Sequence, residues 1–283
     1  MPIWRLQTVF FSRCIESVAR QNYPAGLLEI CVCLDGTPRA ESETVKAVLE
    51  KSGLRYRMTA FRIRRGMAAA RNSCAKNAHG EWFALLDHDD WLRPEAVREL
   101  VALAAPGVDM VYSDYQEVDA GGRVLFRSRA MPYHRLLRSQ ELSWDAPLLH
   151  ATFILQALLV RADIFRAVGV FSESAGLAHE VDFRLRIFDG QNFAYVGSPL
   201  YCYVQRSDSI YHTRYGELVR DTCAIMLEHF RRFHPTAAEC RRLGKVAPCR
   251  VTHYGFYNGS GTLLSPGWVD YGLMALRRPP AIL

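Results

Sequence analysis

The sequence predicts an α/β fold in which a mainly parallel central sheet is flanked by helices. Strand-like and helix-like segments alternate through roughly the first hundred residues, which is the pattern that crossover connections between parallel strands produce. Two of the strand-like segments end in acidic residues, one at Asp35 and the other at Asp87. Because open α/β sheets bind ligands at the carboxyl ends of their strands, these two positions indicate a functional edge.

The first elements follow from apolar spacing and turn residues. Ser12 can cap a helix in which Ile15 and Val18 keep helical spacing, and Tyr23-Pro24 ends it. The next elements are a strand, a helix, a strand and a helix of small residues: Glu29 to Leu34, Glu41 to Lys51, Tyr56 to Ile63 and Met67 to Asn77.

The segment from Asp87 to Asp90 is the most informative part of the chain. It follows Trp82 to Leu86, an apolar run typical of a buried central strand, and precedes Pro94, which opens a helix. Asp87, Asp89 and Asp90 place three carboxylates together, which costs free energy unless a cation neutralises them. A divalent metal would do so, and carboxylate oxygens suit Mg²⁺ or Mn²⁺. Alternatively, these acids form a solvated turn that caps the next helix.

The second half of the chain is less regular. Asp109 to Asp114 is predicted as a strand, and Gln116 to Phe126 as a hairpin turning at Ala120-Gly121-Gly122. Ser128 to Leu148 lacks periodicity and predicts a long connection. Tyr215 to Phe230 has the clearest amphipathic helical spacing. We therefore expect one domain over 1–234 and an irregular carboxyl-terminal tail over 235–283.

Composition excludes several classes of protein. The net charge of +6, from 35 basic minus 29 acidic residues, comes from scattered side chains without a basic stripe, so nucleic acid is not expected as a partner. Cys31 and Cys33 have no second cysteine pair or nearby histidine to complete a zinc set. No stretch of about 18 apolar residues occurs. The sequence thus predicts a cytoplasmic protein, at most peripheral to the inner face of a membrane.

Four stretches, taken in order, carry a resemblance to a known family. They are Cys14 to Val18 with Gln21 to Pro24, Asp35 to Thr37, Gly66 to Asn72 continued by Gly80 to Asp90, and Val168 to Phe171 with His179 to Arg186. In this order they resemble the family 2 glycosyltransferases, enzymes of GT-A fold that move a sugar from a nucleotide diphosphate to an acceptor. The resemblance covers roughly residues 12 to 210, and the shared order is more specific than any single motif.

The resemblance implies a GT-A-like fold with an acceptor-side helical segment. It further implies an inverting transfer from a nucleotide-sugar donor of UDP, dTDP or GDP type to a glycan or lipid-linked acceptor, with Mn²⁺ or Mg²⁺ as cofactor. The Gln-x-x-Arg-Trp motif of processive synthases is absent, which favours transfer of a single sugar. A weaker match at Tyr112 to Asp114 indicates the branch that builds bacterial surface polysaccharides.

The chain departs from the family pattern in two places. Members begin with a strongly apolar strand, whereas here only Pro2 to Phe11 precedes the first helix. That strand is thus shortened or missing: either the start of the chain is truncated, or Ile3 to Val9 forms a substitute edge, or the nucleotide pocket is impaired. His179-Glu180 stands where the family usually has Glu-Asp, which places Glu180 at the catalytic carboxylate.

The resemblance assigns roles to the acidic segment and to the nucleotide side. Asp89 would be the main metal ligand, Asp87 a ribose or second metal contact, and Asp90 would support the loop or meet the donor sugar. Asp35 would accept a hydrogen bond from the base, and Arg71 would stack on the base or pair with phosphate. Asp35-Gly36 is also a good turn dipeptide, and Arg71 could merely pair with Asp35 or a surface acid.

On the acceptor side, Glu180 would be the general base that takes the proton from the attacking hydroxyl. The alternative is a glutamate favoured by the dipole at a helix start. His179 would tune that base or hydrogen-bond the acceptor, and His212 would be a third metal ligand, although a lone histidine is more often structural.

Three other functions compete with this one. Haloacid-dehalogenase-like phosphatases also use a strand-end Asp-x-Asp but want a small hydroxyl residue where this chain has Trp91. Nucleotidyltransferases need a glycine-rich phosphate loop after the first strand, which is absent. A catalytically silent relative that binds a nucleotide sugar or scaffolds a partner remains the strongest alternative, because the first strand is short.

Overall fold

Two sheets and their covering helices make up the part of the chain that the computed structural model describes, residues 1–127, 158–188 and 192–233. The strands are β1 (Pro2–Ile3), β2 (Glu29–Asp35), β3 (Arg55–Phe61), β4 (Trp82–Ala84), β5 (Trp91–Leu92), β6 (Met110–Val118), β7 (Val124–Arg127), β8 (Leu158–Arg161) and β9 (Phe193–Val204). The helices are α1 (Thr8–Ala19), α2 (Arg39–Lys51), α3 (Met67–Asn77), α4 (Ala96–Ala102), α5 (Ala162–Ala167), α6 (His179–Phe188), α7 (Ile210–Thr213) and α8 (Tyr215–Phe233). Short 3-10 helices span Ala25–Leu27 and Glu173–Ala178.

The first sheet is parallel, in the order β1-β2-β3. Strands β2 and β3 pair in register from Glu29 with Arg55 to Asp35 with Phe61, so both end at the same edge. The predicted substitute edge is confirmed only in Pro2–Ile3, because helix α1 already begins at Thr8. The sheet therefore carries Asp35 at its carboxyl edge, as the sequence predicts.

Helix α1 begins one turn earlier than predicted. Ser12 lies inside the helix and does not cap it, because the buried stripe formed by Phe11, Cys14, Ile15 and Val18 extends one turn further toward the amino terminus. The predictions for α2 and α3 are confirmed, and α3 has the predicted bounds.

The second sheet is mixed, in the order β4-β8-β6-β9-β5, with β7 paired to β6. Only β6 and β9 are parallel in it; β8 and β7 run antiparallel to β6, β4 to β8, and β5 to β9. The α/β class is confirmed, while among the described strands the parallel arrangement is confined to the first sheet and this one pair. Strand β4, which leads into the acidic segment, stands at one end of the order and is not the central strand that its apolar composition suggests.

Aromatic packing fixes the start of α6. Phe171 and Phe183 are buried with ring centroids 4.7 Å apart, and Phe165 packs on both at 5.7 and 4.8 Å. Burying one such ring stabilises a fold by about 1.5–3 kcal/mol. The cluster therefore holds the first residues of α6 firmly against the second sheet.

Two peripheral predictions are confirmed and two lie outside the described residues. The hairpin pairs Gln116 with Arg127 and turns through Asp119 to Arg123, and the amphipathic helix is α8. The connection over 128–148 and the tail over 235–283 are not among the described residues. Within the described ranges, no helix is both long and apolar enough to cross a lipid bilayer.

Candidate active site

Three chain segments meet at the candidate site. The loop between β4 and β5 carries Asp87, Asp89 and Asp90, helix α3 carries Arg71, and helix α6 begins with His179 and Glu180. Residues far apart in sequence are thus brought together by the sheet and by the aromatic cluster beneath α6.

Arg71 joins the two sides of the site. Its side chain is 8% exposed, its Nη2 lies 2.6 Å from Asp87 Oδ1, and its Nη1 pairs with Glu180 Oε1. Burial alone would lower the pKa of Arg71, but the charges of Asp87 and Glu180 outweigh it and raise that pKa. Arg71 is therefore a permanent cation held between the two carboxylates, and it does not pair with Asp35 as one alternative had it.

Glu180 forms a second ion pair, with Arg184. Its Oε2 lies 2.7 Å from Arg184 Nη2, one helical turn further along α6, while Oε1 faces Arg71. Burial raises the pKa of this carboxyl, yet the positive charges of Arg71 and Arg184 dominate and lower it below the ordinary value. In the absence of substrate Glu180 is thus an ionised carboxylate with little tendency to take up a proton.

His179 is buried and neutral. Its exposed fraction is 1%, its Nε2 lies 2.7 Å from Arg71 Nη1, and its Nδ1 lies 3.0 Å from the carbonyl oxygen of Gly176. Burial, and then the charge of Arg71, lower the pKa of His179 to about 4. The imidazole is therefore uncharged at neutral pH.

This neutral imidazole makes the stability of the fold depend on pH. The unfolded chain binds the proton below the ordinary pKa of 6.5 and the folded chain only below about 4, so the unfolded state holds more protons between these values. We expect the contribution of His179 to the free energy of unfolding to be fully present above pH 6.5. The free energy of unfolding should then fall by on the order of 3 kcal/mol toward pH 4. Urea unfolding across this range measures it. His179→Gln, which cannot titrate, should show a shallower dependence, and equal slopes would contradict the assignment.

Asp89 also forms an ion pair with an arginine of this chain. Arg206, just after β9, places Nη1 3.0 Å from Asp89 Oδ2, and the same guanidinium contacts Gln7 and lies over the ring of Phe10. Arg206 is only 13% exposed along its side chain. An arginine of this chain therefore stands where the sequence led us to expect a metal.

Asp90 points away from solvent. It is 2% exposed, Oδ2 accepts a hydrogen bond of 2.6 Å from the Tyr201 hydroxyl, and Oδ1 accepts one of 2.8 Å from the Val204 amide. Burial, helped by the charges of Asp89 and Asp87, raises the pKa of Asp90. Of its two predicted roles, the geometry favours support of the loop by tying it to β9.

Two of the three carboxylates of the acidic segment thus have an arginine partner, Asp87 with Arg71 and Asp89 with Arg206. Within residues 1–127, 158–188 and 192–233, no cluster of three or more His, Cys, Asp or Glu side chains forms a metal cage. Asp87 and Asp89 nevertheless keep 31% and 24% of their side chains exposed. Two accessible hard-oxygen ligands fit Mg²⁺ or Mn²⁺, which usually take few carboxylates and complete their shell with water and substrate phosphates.

Asp35 holds the loop after β3. It is 2% exposed, and its two oxygens accept hydrogen bonds from the backbone amides of Arg65 at 2.6 Å and Gly66 at 2.9 Å. The neighbouring Gly36 has φ +71°, and a Cβ there would meet the Arg64 nitrogen at 2.7 Å, so only glycine fits. This arrangement favours the turn interpretation of Asp35-Gly36, and a contact with a base stays a prediction.

His212 lies on α7, exposed, with Nε2 3.4 Å from Gln205 Oε1. Gln205 in turn donates to Glu117 at 2.8 Å. The structure thus links His212 to a polar group at the end of β6, and its role as a metal ligand stays a prediction.

Sequence reasoning missed three residues of the site. Arg184 could have been found, because a glutamate and an arginine four residues apart on a helix form a standard pair. Arg206 and Tyr201 carry no such signal, since their partners lie in a loop more than a hundred residues earlier.

Comparisons of the sequence identify a family and its relatives. A family model described as glycosyl transferase family 2 matches residues 10–165. The succinoglycan biosynthesis protein ExoO of Rhizobium meliloti is 29% identical over 77% of this chain and 60% of its own length. The Escherichia coli UDP-Glc:alpha-D-GlcNAc-diphosphoundecaprenol beta-1,3-glucosyltransferase WfgD is 28% identical over 45% of this chain and 50% of its own length. The chain thus spans less than two thirds of either relative.

Solved structures show the same architecture. TarS 1-349 of S. aureus in complex with UDP-GlcNAc superposes with a TM-score of 0.60 at 15% identity, covering 80% of this chain and 65% of that one. A mannosyltransferase of Pyrobaculum calidifontis in complex with GDP-Man and Mn2+ gives 0.58 at 18% identity, covering 83% and 63%. At these identities the likeness concerns the fold alone, and it confirms the GT-A-like expectation.

Proposed function

The chain belongs to glycosyl transferase family 2, and we propose that it is an inverting enzyme that transfers a single sugar from a nucleotide-diphosphate sugar to an acceptor hydroxyl. The observation that carries this proposal is the line of charges from Asp87 through Arg71 to Glu180. In this proposal, Asp87 on one side of the guanidinium serves the donor and Glu180 on the other side serves the acceptor.

Glu180 is the general base of the proposed reaction. The acceptor hydroxyl attacks the anomeric carbon from the face opposite the diphosphate while Glu180 removes its proton, so the configuration inverts. The pairing with Arg71 lowers the proton affinity of Glu180 in the substrate-free protein. A diphosphate bound beside Asp87 competes with Glu180 for this guanidinium, and the base becomes stronger as the pairing weakens.

Asp89 and Asp87 would hold Mn²⁺ or Mg²⁺, with His212 as a further candidate ligand. The metal, when bound, supplies positive charge to the phosphate oxygens of the leaving nucleoside diphosphate. Asp90 keeps these ligands in place through Tyr201 and Val204. Asp35 and Arg71 remain the candidates for contacts with the nucleotide.

The relatives indicate the class of substrates. TarS and the mannosyltransferase are described with UDP-GlcNAc and GDP-Man, which supports a donor of UDP, dTDP or GDP type. WfgD is named for a diphosphoundecaprenol-linked acceptor and ExoO for succinoglycan biosynthesis, which supports a glycan or lipid-linked acceptor. Synthesis of a surface polysaccharide in the cytoplasm, at the inner face of the membrane, fits both.

Thermal unfolding with UDP, dTDP and GDP, each with and without Mn²⁺ or Mg²⁺, tests the proposal. One nucleotide should stabilise the protein only when metal is present, by about 2.7 kcal/mol at a ligand concentration of about 100 times Kd. No stabilisation by any of the three, or equal stabilisation without metal, would contradict the proposal.

The alternative functions separate in activity assays. A silent relative would bind the nucleotide but transfer no sugar to a glycan or lipid-linked acceptor. A phosphatase would release phosphate from small phosphoesters without an acceptor.

A further inference from the structure

His179 lies at the first position of α6 and has a defined partner at each ring nitrogen. An arginine has only donors, so Arg71 Nη1 donates to Nε2, which must carry a lone pair. The proton of the neutral ring is therefore on Nδ1 and is donated to the Gly176 carbonyl at 3.0 Å. Neither nitrogen is left to exchange a proton with an acceptor hydroxyl.

The carbonyl that fixes this tautomer is itself fixed by helix α8. Asp221 Oδ2 accepts a hydrogen bond of 2.9 Å from the Leu177 amide. Gly176 has φ +57°, and a Cβ on it would lie 2.3 Å from Asp221 Oδ2, so the turn closes directly against the carboxylate. Helix α8 thus determines where the Gly176 carbonyl points.

Charge explains why an imidazole suits this place. Arg71 already faces two carboxylates, Asp87 and Glu180. A third carboxylate at position 179 would hold the guanidinium more tightly, whereas a neutral acceptor orients it and leaves its charge available to an anion.

We propose that His179 is a positioning residue, not a proton carrier: it orients Arg71 toward the donor diphosphate, and Asp221 keeps the imidazole in the tautomer that does so. This rests on the proposed function, since it takes a nucleotide diphosphate as the ligand of Arg71. A positioning residue should affect binding only through Arg71.

Substitution of His179 by glutamine or by asparagine tests the hydrogen bonds of the two ring nitrogens separately. In His179→Gln the amide oxygen reaches the place of Nε2 and can accept from Arg71, whereas in His179→Asn the short amide can reach only the Gly176 side. With the nucleotide among UDP, dTDP and GDP that stabilises the wild-type full chain in MnCl₂, we expect His179→Asn to raise Kd about tenfold and His179→Gln by less than about threefold. Equal loss in both variants, or none in His179→Asn, would overturn the proposal.

A double-mutant cycle distinguishes positioning from a general loss of structure. In an Arg71→Gln background, His179→Asn should leave Kd unchanged, and Asp221→Ala, which should raise Kd a few fold in the wild type, should also have no effect. Additive losses would overturn the proposal. Thermal unfolding without ligand identifies any variant that fails to fold.

The ring tautomer gives a readout that needs no nucleotide. Nitrogen chemical shifts of ¹⁵N-histidine-labelled protein at neutral pH should show one imidazole with the proton on Nδ1, and this signal should disappear in His179→Gln. A proton on Nε2 would overturn the proposal even if the nucleotide binds. If no nucleotide stabilises the wild type but the imidazole with its proton on Nδ1 is observed, the proposed function is contradicted. The hydrogen-bond geometry at His179 is then still supported.

Discussion

Glu180→Gln should bind the donor nucleotide at least as tightly as the wild type and lose transfer by about 10²–10⁴-fold in kcat, which is the contribution of a positioned general base. The amide keeps the shape of the carboxylate, and its single oxygen can still accept a hydrogen bond from Arg71 or from Arg184, but it cannot take a proton. Steady-state transfer assays, with nucleotide affinity from thermal unfolding, measure the two effects separately.

Asp182→Asn is the matched control. It removes the charge of another carboxylate on α6 that pairs with an arginine one turn away, Arg186 at 2.8 Å, without touching Arg71. Its kcat should stay within a few fold of the wild type. Retained turnover in Glu180→Gln would mean that the base lies elsewhere.

Asp89→Ala should abolish the metal-dependent stabilisation by nucleotide, a loss of about 2.7 kcal/mol at a ligand concentration of about 100 times Kd. The carboxylate is partly exposed and its partner in the substrate-free protein is Arg206, so its removal deletes the expected metal ligand without opening the core. Thermal unfolding with Mn²⁺ and nucleotide provides the measurement. Full stabilisation of the variant would remove Asp89 as a metal ligand.

Arg206→Gln provides a control with the opposite sign. It removes the cation that competes for Asp89, so the affinity for Mn²⁺ alone should rise, as measured by calorimetric titration. Arg57→Gln removes an arginine whose partners are Glu29 and His79, outside the candidate site, and should leave metal affinity unchanged.

Sequence patterns were sufficient for elements with strong local signals. Helix α3 and strand β2 follow from local apolar spacing and turn residues, and the hairpin follows from its glycines. The mixed second sheet was not predictable, because the pairing of β4 with β8 joins segments that lie far apart in the sequence. Apolar composition marks a strand as buried but does not say which strand lies beside it.

The sequence predicted the acidic residues of the site better than it predicted the arginines that pair with them. The structure brings Asp87, Glu180 and Arg71 into contact, while the roles that the resemblance gave them stay predictions. The burial of Asp90 under Tyr201 and the pairing of Asp89 with Arg206 depend on the path of β9, for which the chain offers no local signal. The sequence therefore suggested an unbalanced acidic cluster where the folded chain supplies its own arginines.

These ion pairs between the protein's own carboxylates and arginines affect how a donor binds. Three carboxylates, Asp87, Asp89 and Glu180, are matched by three guanidiniums, those of Arg71, Arg184 and Arg206. An anionic nucleotide sugar that reaches this face finds each of these guanidiniums already engaged with a carboxylate. Discrimination between ligands is then left to short-range contacts made after arrival, when each guanidinium can exchange a carboxylate of the protein for a phosphate of the ligand.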